Sequence, residues 1–344
     1  MPNNFIEIDG SFGEGGGQTL RTACFLSAIT KKPCRIFNIR KGREKPGLMP
    51  QHLLSIQSLS KLCGGKLDGD YLGSEEIKFY PGELKNQDLY IKIETAGSIT
   101  LILQTLIPLS LSANQKIKIT FDGGATDTFF SPTIDYFSQV FLKILEKMGG
   151  KVDINIIKRG YYPEGGAKTE VIIYPSKLKN IYLIKKGSLK KIEIISGSSE
   201  FLKDKKVSER QIAGAREILG KLNLPVKEIV EYYQTQNPGS QICLIAEFEN
   251  TVIGADNLGR LGKRAEDVGK EAAMELIREQ KSEACLDRHS ADQILPYLAL
   301  ANGKSQVTVS EVTNHCKTNI WVIEKFLDGE FKITDNLISW LSKK

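Results

Sequence analysis

Histidine is scarce in this 344-residue chain: His52, His289 and His315 are the only three. They are too far apart for an H-E-x-x-H pair or any similar metal spacing, so a histidine-built zinc enzyme is excluded. Cysteine is also sparse and scattered. Cys24, Cys34, Cys63, Cys243, Cys285 and Cys316 form no C-x-x-C pair, and a chain of this size needs no disulfide staples, so they read as core thiols. Aromatic residues make up 8% and do not alternate with the arginines, against a simple stacking platform for single-stranded RNA. No run approaches the roughly 18 uncharged apolar residues of a membrane span. The opening Met1-Pro2-Asn3-Asn4-Phe5-Ile6-Glu7-Ile8-Asp9 lacks the apolar core of a signal peptide, so a soluble, cytoplasmic protein without membrane partners is expected. The net charge of +6, from 47 basic and 41 acidic residues, is too mild for a nucleic-acid packaging protein.

What is present is repetition. An apolar run of helical period, a short turn and an alternating strand recur three times. The runs start at Gly17-Gln18-Thr19-Leu20-Arg21, at Gly97-Ser98-Ile99-Thr100-Leu101 and at Ala291-Asp292-Gln293-Ile294-Leu295. Each unit adds a second amphipathic helix, expected over His52 to Leu62, Ile134 to Met148 and Asn319 to Leu327. The first two end at Gly64-Gly65 and Gly149-Gly150, glycines suited to a left-handed cap. An α/β (α+β) fold of three units around a common axis follows, with helices covering one face of each small sheet. The stretch 184–278 breaks the repeat. It reads as strand, helix (Ser208 to Leu222), three strands and a charged helix (Lys263 to Arg278): a small inserted α/β domain, leaving 1–183 plus 279–344 as the repeated body.

Three segments stand out chemically. Gly13-Glu14-Gly15-Gly16-Gly17-Gln18-Thr19-Leu20-Arg21 opens the first helix, where free backbone N–H groups suit an anion, yet no Gly-Lys-Ser/Thr follows and it is not a Walker A loop. Gln18 and Arg21 lie one turn apart on one face, and Glu14 offers an oxygen to a hard divalent cation. Lys31, Lys32, Arg35, Arg40, Lys41, Arg43 and Lys45 fall within fifteen residues. The last four sit on a Gly- and Pro-rich stretch expected to be a loop, suited to phosphates. His315 lies in Thr313-Asn314-His315-Cys316-Lys317-Thr318-Asn319, expected as a strand-to-helix loop of the third unit, where ligands collect in α/β folds.

Taken in order, Gly13-Glu14-Gly15-Gly16-Gly17-Gln18 with Arg21, Arg40-Lys41-Gly42-Arg43 with Lys45-Pro46-Gly47-Leu48, Gln51-His52, Ala96-Gly97-Ser98, Gln104, Ala291-Asp292-Gln293, and His315 with Thr318-Asn319-Ile320 resemble the RNA 3'-terminal phosphate cyclase family. The resemblance runs from about residue 6 to 327. It implies three tandem βαβαββ-type units like the C-terminal half of bacterial initiation factor three, plus a small inserted domain. It also implies an ATP-dependent enzyme acting on RNA with a 3'-phosphate end, with Mg2+ or Mn2+ near Glu14. His315 is then the residue that takes up AMP, and the RNA and departing phosphates fall to Arg21, Arg40 and Arg43. Gln104, Asp292 and Gln293 fall near the nucleotide, and Gln18, Gln51 and His52 match further active-site positions. His289 stands where some relatives carry Tyr beside the adenine. A non-catalytic branch of the family lacks the nucleophilic histidine, and the presence of His315 argues against it.

Overall fold

The computed structural model describes residues 4–220 and 225–343. The expected end of the inserted helix at Leu222, and Met1 to Asn3 of the opening segment, lie outside the described residues.

The first unit runs β1 (Ile6–Asp9), α1 (Gly17–Thr30), β2 (Cys34–Phe37), α2 (Pro50–Leu62), β3 (Lys66–Asp68) and β4 (Ile77–Tyr80). Its sheet order is β1-β2-β4-β3, with β1 and β2 parallel and the other pairs antiparallel. The second unit repeats this with β5 (Leu89–Ser98), α3 (Ile99–Ser110), β6 (Ile117–Ala125), α4 (Ile134–Tyr136), α5 (Leu142–Lys147), β7 (Lys151–Lys158) and β8 (Lys168–Tyr174), in the order β5-β6-β8-β7. The continuous helix expected from Ile134 to Met148 is interrupted, because Phe137–Phe141 winds as a π-turn between α4 and α5. Such a turn inserts an extra residue, and it lies where α8 packs against it.

A short β9 (Tyr182–Leu183) starts the third unit. The chain then leaves for β10 (Leu189–Ser199), α6 (Val207–Leu219), β11 (Val226–Tyr233), β12 (Ser240–Phe248), β13 (Val252–Leu258) and α7 (Ala265–Lys281). It returns as α8 (Arg288–Leu300), β14 (Ser305–Thr308), α9 (Asn314–Phe326), β15 (Gly329–Thr334) and β16 (Leu337–Ser342). β9 pairs in parallel with β14, so the third sheet, β15-β16-β14-β9, has the topology of the first two. The detour makes its own sheet, β11-β10-β12-β13, over a separate apolar cluster that includes Ile192, Ile194, Ile242, Leu244 and Leu276.

The helices of the three units face one another: α1 packs on α9 and α3, α2 on α3, and α8 on α9. α1 is therefore buried nearly all round from Thr19 to Ala28, as a helix at the centre of a domain must be. All six cysteines are free and buried, in line with their reading as core thiols. Gly64 and Gly149 have φ of 58° and 89°, the left-handed caps expected after α2 and α5. No helix among the described residues is long and apolar enough to cross a membrane.

Candidate active site

The N-termini of α1, α8 and α9 converge on a cleft of about 770 Å³. Glu14, Gln18, Arg21, Gln104, His289, Asp292, Gln293 and His315 all line it, so eight of the residues singled out in the sequence meet there.

His315 stands in the first turn of α9 rather than on a loop. Thr313 caps the helix early, its hydroxyl accepting from the Cys316 N–H at 3.2 Å, and the Thr318 hydroxyl bonds back to the Asn314 carbonyl at 2.8 Å. The imidazole is thus carried by a rigid element while staying half-exposed toward the cleft. Its Nδ1 lies 2.7 Å from Gln18 Oε1, and its Nε2 lies 3.4 Å from Glu14 Oε2. Gln18 Nε2 donates to Asp292 Oδ2 at 2.5 Å. Behind this chain, Asn319 Nδ2 donates to the Asp292 carbonyl and Thr22 Oγ1 donates to Asn319 Oδ1, each at 2.8 Å, which stitches α1, α8 and α9 together. Burial raises the Asp292 carboxyl to about 6, against the lowering pull of His315, His289, the Gln18 amide and Arg21.

Arg21 is buried, and its guanidinium makes no hydrogen bond or ion pair among the described residues. Burial lowers its pKa to about 10, with Asp292 opposing, so it stays charged near neutrality. An unpartnered buried cation is costly unless an anion visits it. Next to it, His52 is neutral: burial first, then Arg21 and Arg40, depress it to about 3. Its Nδ1 accepts from the Met49 N–H at 3.2 Å, leaving Nε2 as the protonated nitrogen. Gly17 is what lets this group approach α1, since a Cβ there would lie 2.3 Å from His52 Nε2 and 3.1 Å from Arg21 Nη1. The N-cap Gly16 brings no side chain to the first amides of α1, which leaves them for a ligand.

Arg40, Arg43, Gln51 and His52 do not line the cleft itself. Gln51 sits by Gly97 at the end of β5, just before α3. Arg40 is tied into its turn, donating to the carbonyls of Lys45 at 2.6 Å and Gly47 at 3.0 Å. Arg43 leans over the rim, with Nη2 3.0 Å from the Glu14 carbonyl and 3.9 Å from its carboxylate. The seven-residue basic cluster therefore divides. Lys31 pairs with Glu83, Lys32 donates to the Phe326 carbonyl and Arg35 pairs with Glu7 and Glu76, all structural contacts, while Arg40, Lys41, Arg43 and Lys45 remain on the turn beside the site.

On the opposite wall, His289 packs edge-on to Tyr136, with ring centroids 6.3 Å apart. Gln293 donates to the His289 carbonyl at 2.8 Å, and its buried Oε1 has no partner among the described residues, an acceptor without its donor. Sequence reasoning missed Phe130, which is fully exposed at the cleft edge with φ of 63°. It also missed Asp256, which β13 of the inserted sheet brings into the same wall, its Oδ2 accepting from the Thr133 N–H at 2.7 Å. The inserted segment thus reaches the cleft although no residue within it was singled out, and an isolated aspartate in a strand gives no local signal.

Of the cleft carboxylates, Asp292 is engaged by Gln18, Asp256 by the Thr133 N–H and Glu311 by Arg278, so Glu14, about one-third exposed beside His315 Nε2, is the one placed to take a divalent cation. No cluster of three or more acidic, histidine or cysteine ligands occurs among the described residues. That donor set fits a hard ion completed by phosphate oxygens and water rather than a closed protein cage.

The sequence profile described as RNA 3'-terminal phosphate cyclase matches residues 12–333. A protein of that name from Pyrococcus abyssi is 45% identical over 329 residues, covering 95% of each chain. Those from Sulfurisphaera tokodaii and Thermococcus kodakarensis are each 44% identical, over 332 residues (96% of each chain) and 331 residues (96% of this chain, 94% of the relative). With the three-unit fold and the His315 cleft, these similarities lead to one conclusion: the chain belongs to the RNA 3'-terminal phosphate cyclase family of enzymes.

Proposed function

We propose that this enzyme uses ATP to convert an RNA 3'-terminal phosphate into a 2',3'-cyclic phosphate, through AMP carried on His315 and then on the RNA end. The observation that carries the reading is the ring of His315. With Nδ1 held by the Gln18 carbonyl at 2.7 Å, Nε2 is the ring nitrogen turned to the cleft beside Glu14, and its lone pair is the nucleophile. It attacks the α-phosphorus of ATP, forming a P–N bond as the P–O bond to pyrophosphate breaks. An RNA 3'-phosphate oxygen then displaces the imidazole, giving an A(5')pp(3')RNA end. Attack by the neighbouring 2'-oxygen closes the ring and expels AMP.

Each step brings anions together, so positive charge must be fixed in place beforehand. Arg21, buried and unpartnered, suits a phosphate in the cleft. Arg40 and Arg43, on the neighbouring turn, suit the RNA phosphate, with His52 near Arg40 and Gln51 as a further candidate contact. A Mg2+ or Mn2+ held by Glu14 would draw charge from the phosphate oxygens. Gln293 Oε1, the buried acceptor without a donor among the described residues, suits a ribose hydroxyl, and Gln104 lines the same cleft. His289 and Phe130 offer rings to a base.

The ring-closing nucleophile belongs to the same ribose as the phosphate, and intramolecular placement of that kind is worth an effective concentration of about 10^5 M or more. A 3'-phosphate end with a 2'-deoxy or 2'-O-methyl sugar is therefore expected to accept AMP and stall there. A 3'-hydroxyl end is expected not to react. Gel analysis of labelled ends decides: ready adenylylation of a 3'-hydroxyl end, or cyclisation without AMP release, would contradict the sequence of steps.

A further inference from the structure

We infer that Asp292 and Gln18 are positioning residues that fix the tautomer of His315, with the Asp292 carboxylate setting the direction of the whole hydrogen-bond chain. This deepens the function proposed above and rests on that reading for its catalytic consequence.

The direction follows from donor and acceptor inventory. An ionised carboxylate only accepts hydrogen bonds, so the Gln18 group 2.5 Å from Asp292 Oδ2 must be the amide NH2. The other end of the same amide, its carbonyl, then faces His315 and only accepts. Nδ1, 2.7 Å away, then carries the proton and Nε2 the lone pair, and the Glu14 carboxylate, 3.4 Å from Nε2, is the one neighbour among the described residues that pulls the proton the other way. An amide and an imidazole alone could adopt either orientation, and the carboxylate at the end of the chain removes the choice. Its own placement is secured from the helix that carries His315, because Asn319 of α9 holds the Asp292 carbonyl at 2.8 Å and is itself held by Thr22 of α1. The chain is short, buried at its Asp292 end and built from three helix N-termini, so it is rigid before any ligand arrives.

The retained Nδ1 proton serves both halves of the reaction. When Nε2 bonds to phosphorus, the ring becomes an imidazolium whose new charge faces the Gln18 carbonyl and, beyond it, the Asp292 carboxylate. When the RNA phosphate later displaces the ring, the P–N bonding pair returns to Nε2 and the leaving group is a neutral imidazole, not an imidazolate. A ring that had lost that proton would leave far more slowly.

The chain also predicts what happens when its direction is lost. In Asp292→Asn the new amide can donate to Gln18, which lets the Gln18 amide turn over and point its NH2 at Nδ1. Nδ1 would then accept, and the proton would move to Nε2 and block the nucleophile. Gln18→Leu removes the acceptor altogether and leaves the two tautomers to compete.

Long-range 1H–15N correlation spectra of the full-length protein, without ATP, metal or RNA, read the tautomer directly, and only three histidines need assignment. The expected result is a protonated Nδ1 and a lone-pair Nε2 at His315 in the parent, a shift toward Nε2–H in Asp292→Asn, and a mixture in Gln18→Leu. Adduct formation with ATP and AMP transfer to RNA should then both slow by about 10^2- to 10^4-fold in Asp292→Asn, the upper end being the scale of a wrong-tautomer histidine in a serine protease triad, with KM for ATP little changed. Nε2–H in the parent would overturn the inference. So would an unchanged His315 tautomer in both variants, or a loss confined to KM for ATP, which would assign these side chains to the nucleotide instead. Because the spectra need no reaction, a correct tautomer in a protein that never forms an adduct would contradict the proposed function and leave the positioning intact.

Discussion

Two buried ionisable side chains, Asp292 bonded to Gln18 and His52 next to Arg21, have shifts that set opposite behaviour with pH. Asp292 is raised to about 6 by burial, whereas His52 is depressed to about 3 and stays neutral throughout the working range. Above pH 6 Asp292 is an acceptor-only carboxylate. About one pH unit below that, only roughly a tenth of it remains ionised, and its hold on Gln18 is lost. A carboxyl resonance assigned by its disappearance in Asp292→Asn should titrate near pH 6, and self-adenylylation should fall through the same range. Titration in the ordinary aspartate range near 4 would contradict this. The stability effect has the matching sign. The folded pKa lies above the unfolded one, so the native state binds more protons between about pH 4 and 6, and this group disfavours folding as pH rises through that window. None of this was legible in the sequence. The identities of Gln18, Asp292 and His315 were, but that 297 and 274 positions of separation would close into one hydrogen-bonded chain needed the packing of α1, α8 and α9.

At the scale of elements, the repeat was readable because helical period and strand alternation recur three times, and the three sheets share one strand order. The departures have local causes. α9 begins five residues earlier than its apolar period suggests, since the Thr313 cap, a polar signal, decides the start. The π-turn at Phe137–Phe141 sits inside an unbroken apolar pattern and leaves no trace in it. The glycines opening α1 read as an anion loop, yet two of them answer to neighbours: a Cβ at Gly13 would lie 2.2 Å from Thr318 Oγ1, and one at Gly17 would meet His52. Gly17→Ala should therefore displace His52 and Arg21 by some tenths of an ångström or more without unfolding α1. AMP transfer to RNA is expected to fall by about 10^2-fold, with adduct formation less affected. Single-turnover assays of the two steps check this, and equal loss in both would move Arg21 and His52 to the ATP half of the reaction.

For the whole molecule, the inserted segment is tied to the second unit by a buried ionic knot. Arg159 bonds Asp127 at 3.0 Å and Asp135 at 2.6 Å, Tyr161 donates to Gln241 of β12 at 2.5 Å, and Gln241 donates back to Asp135 at 3.3 Å. The same junction brings Asp256 to the cleft and lets Tyr136 reach the Asp287 cap of α8 at 2.5 Å. Arg159→Met leaves two buried carboxylates without their cation and is expected to cost about 3–5 kcal/mol of stability in urea unfolding. A loss below about 1 kcal/mol would mean that the knot does not hold the insertion. Its members span Asp127 to Gln241 in sequence, and an isolated charged residue ordinarily reads as solvent-facing, so nothing short of the fold assembles it.

The central claim is that His315 becomes covalently joined to AMP, and incubation with α-labelled ATP and a divalent metal tests it most directly. The account predicts a labelled protein whose bond is labile in acid and stable in alkali, as a P–N linkage is. That label should be absent from a folded His315→Ala variant and retained, at least in part, by His289→Ala. No labelled protein from the parent enzyme, or label that persists in His315→Ala and vanishes in His289→Ala, would contradict it.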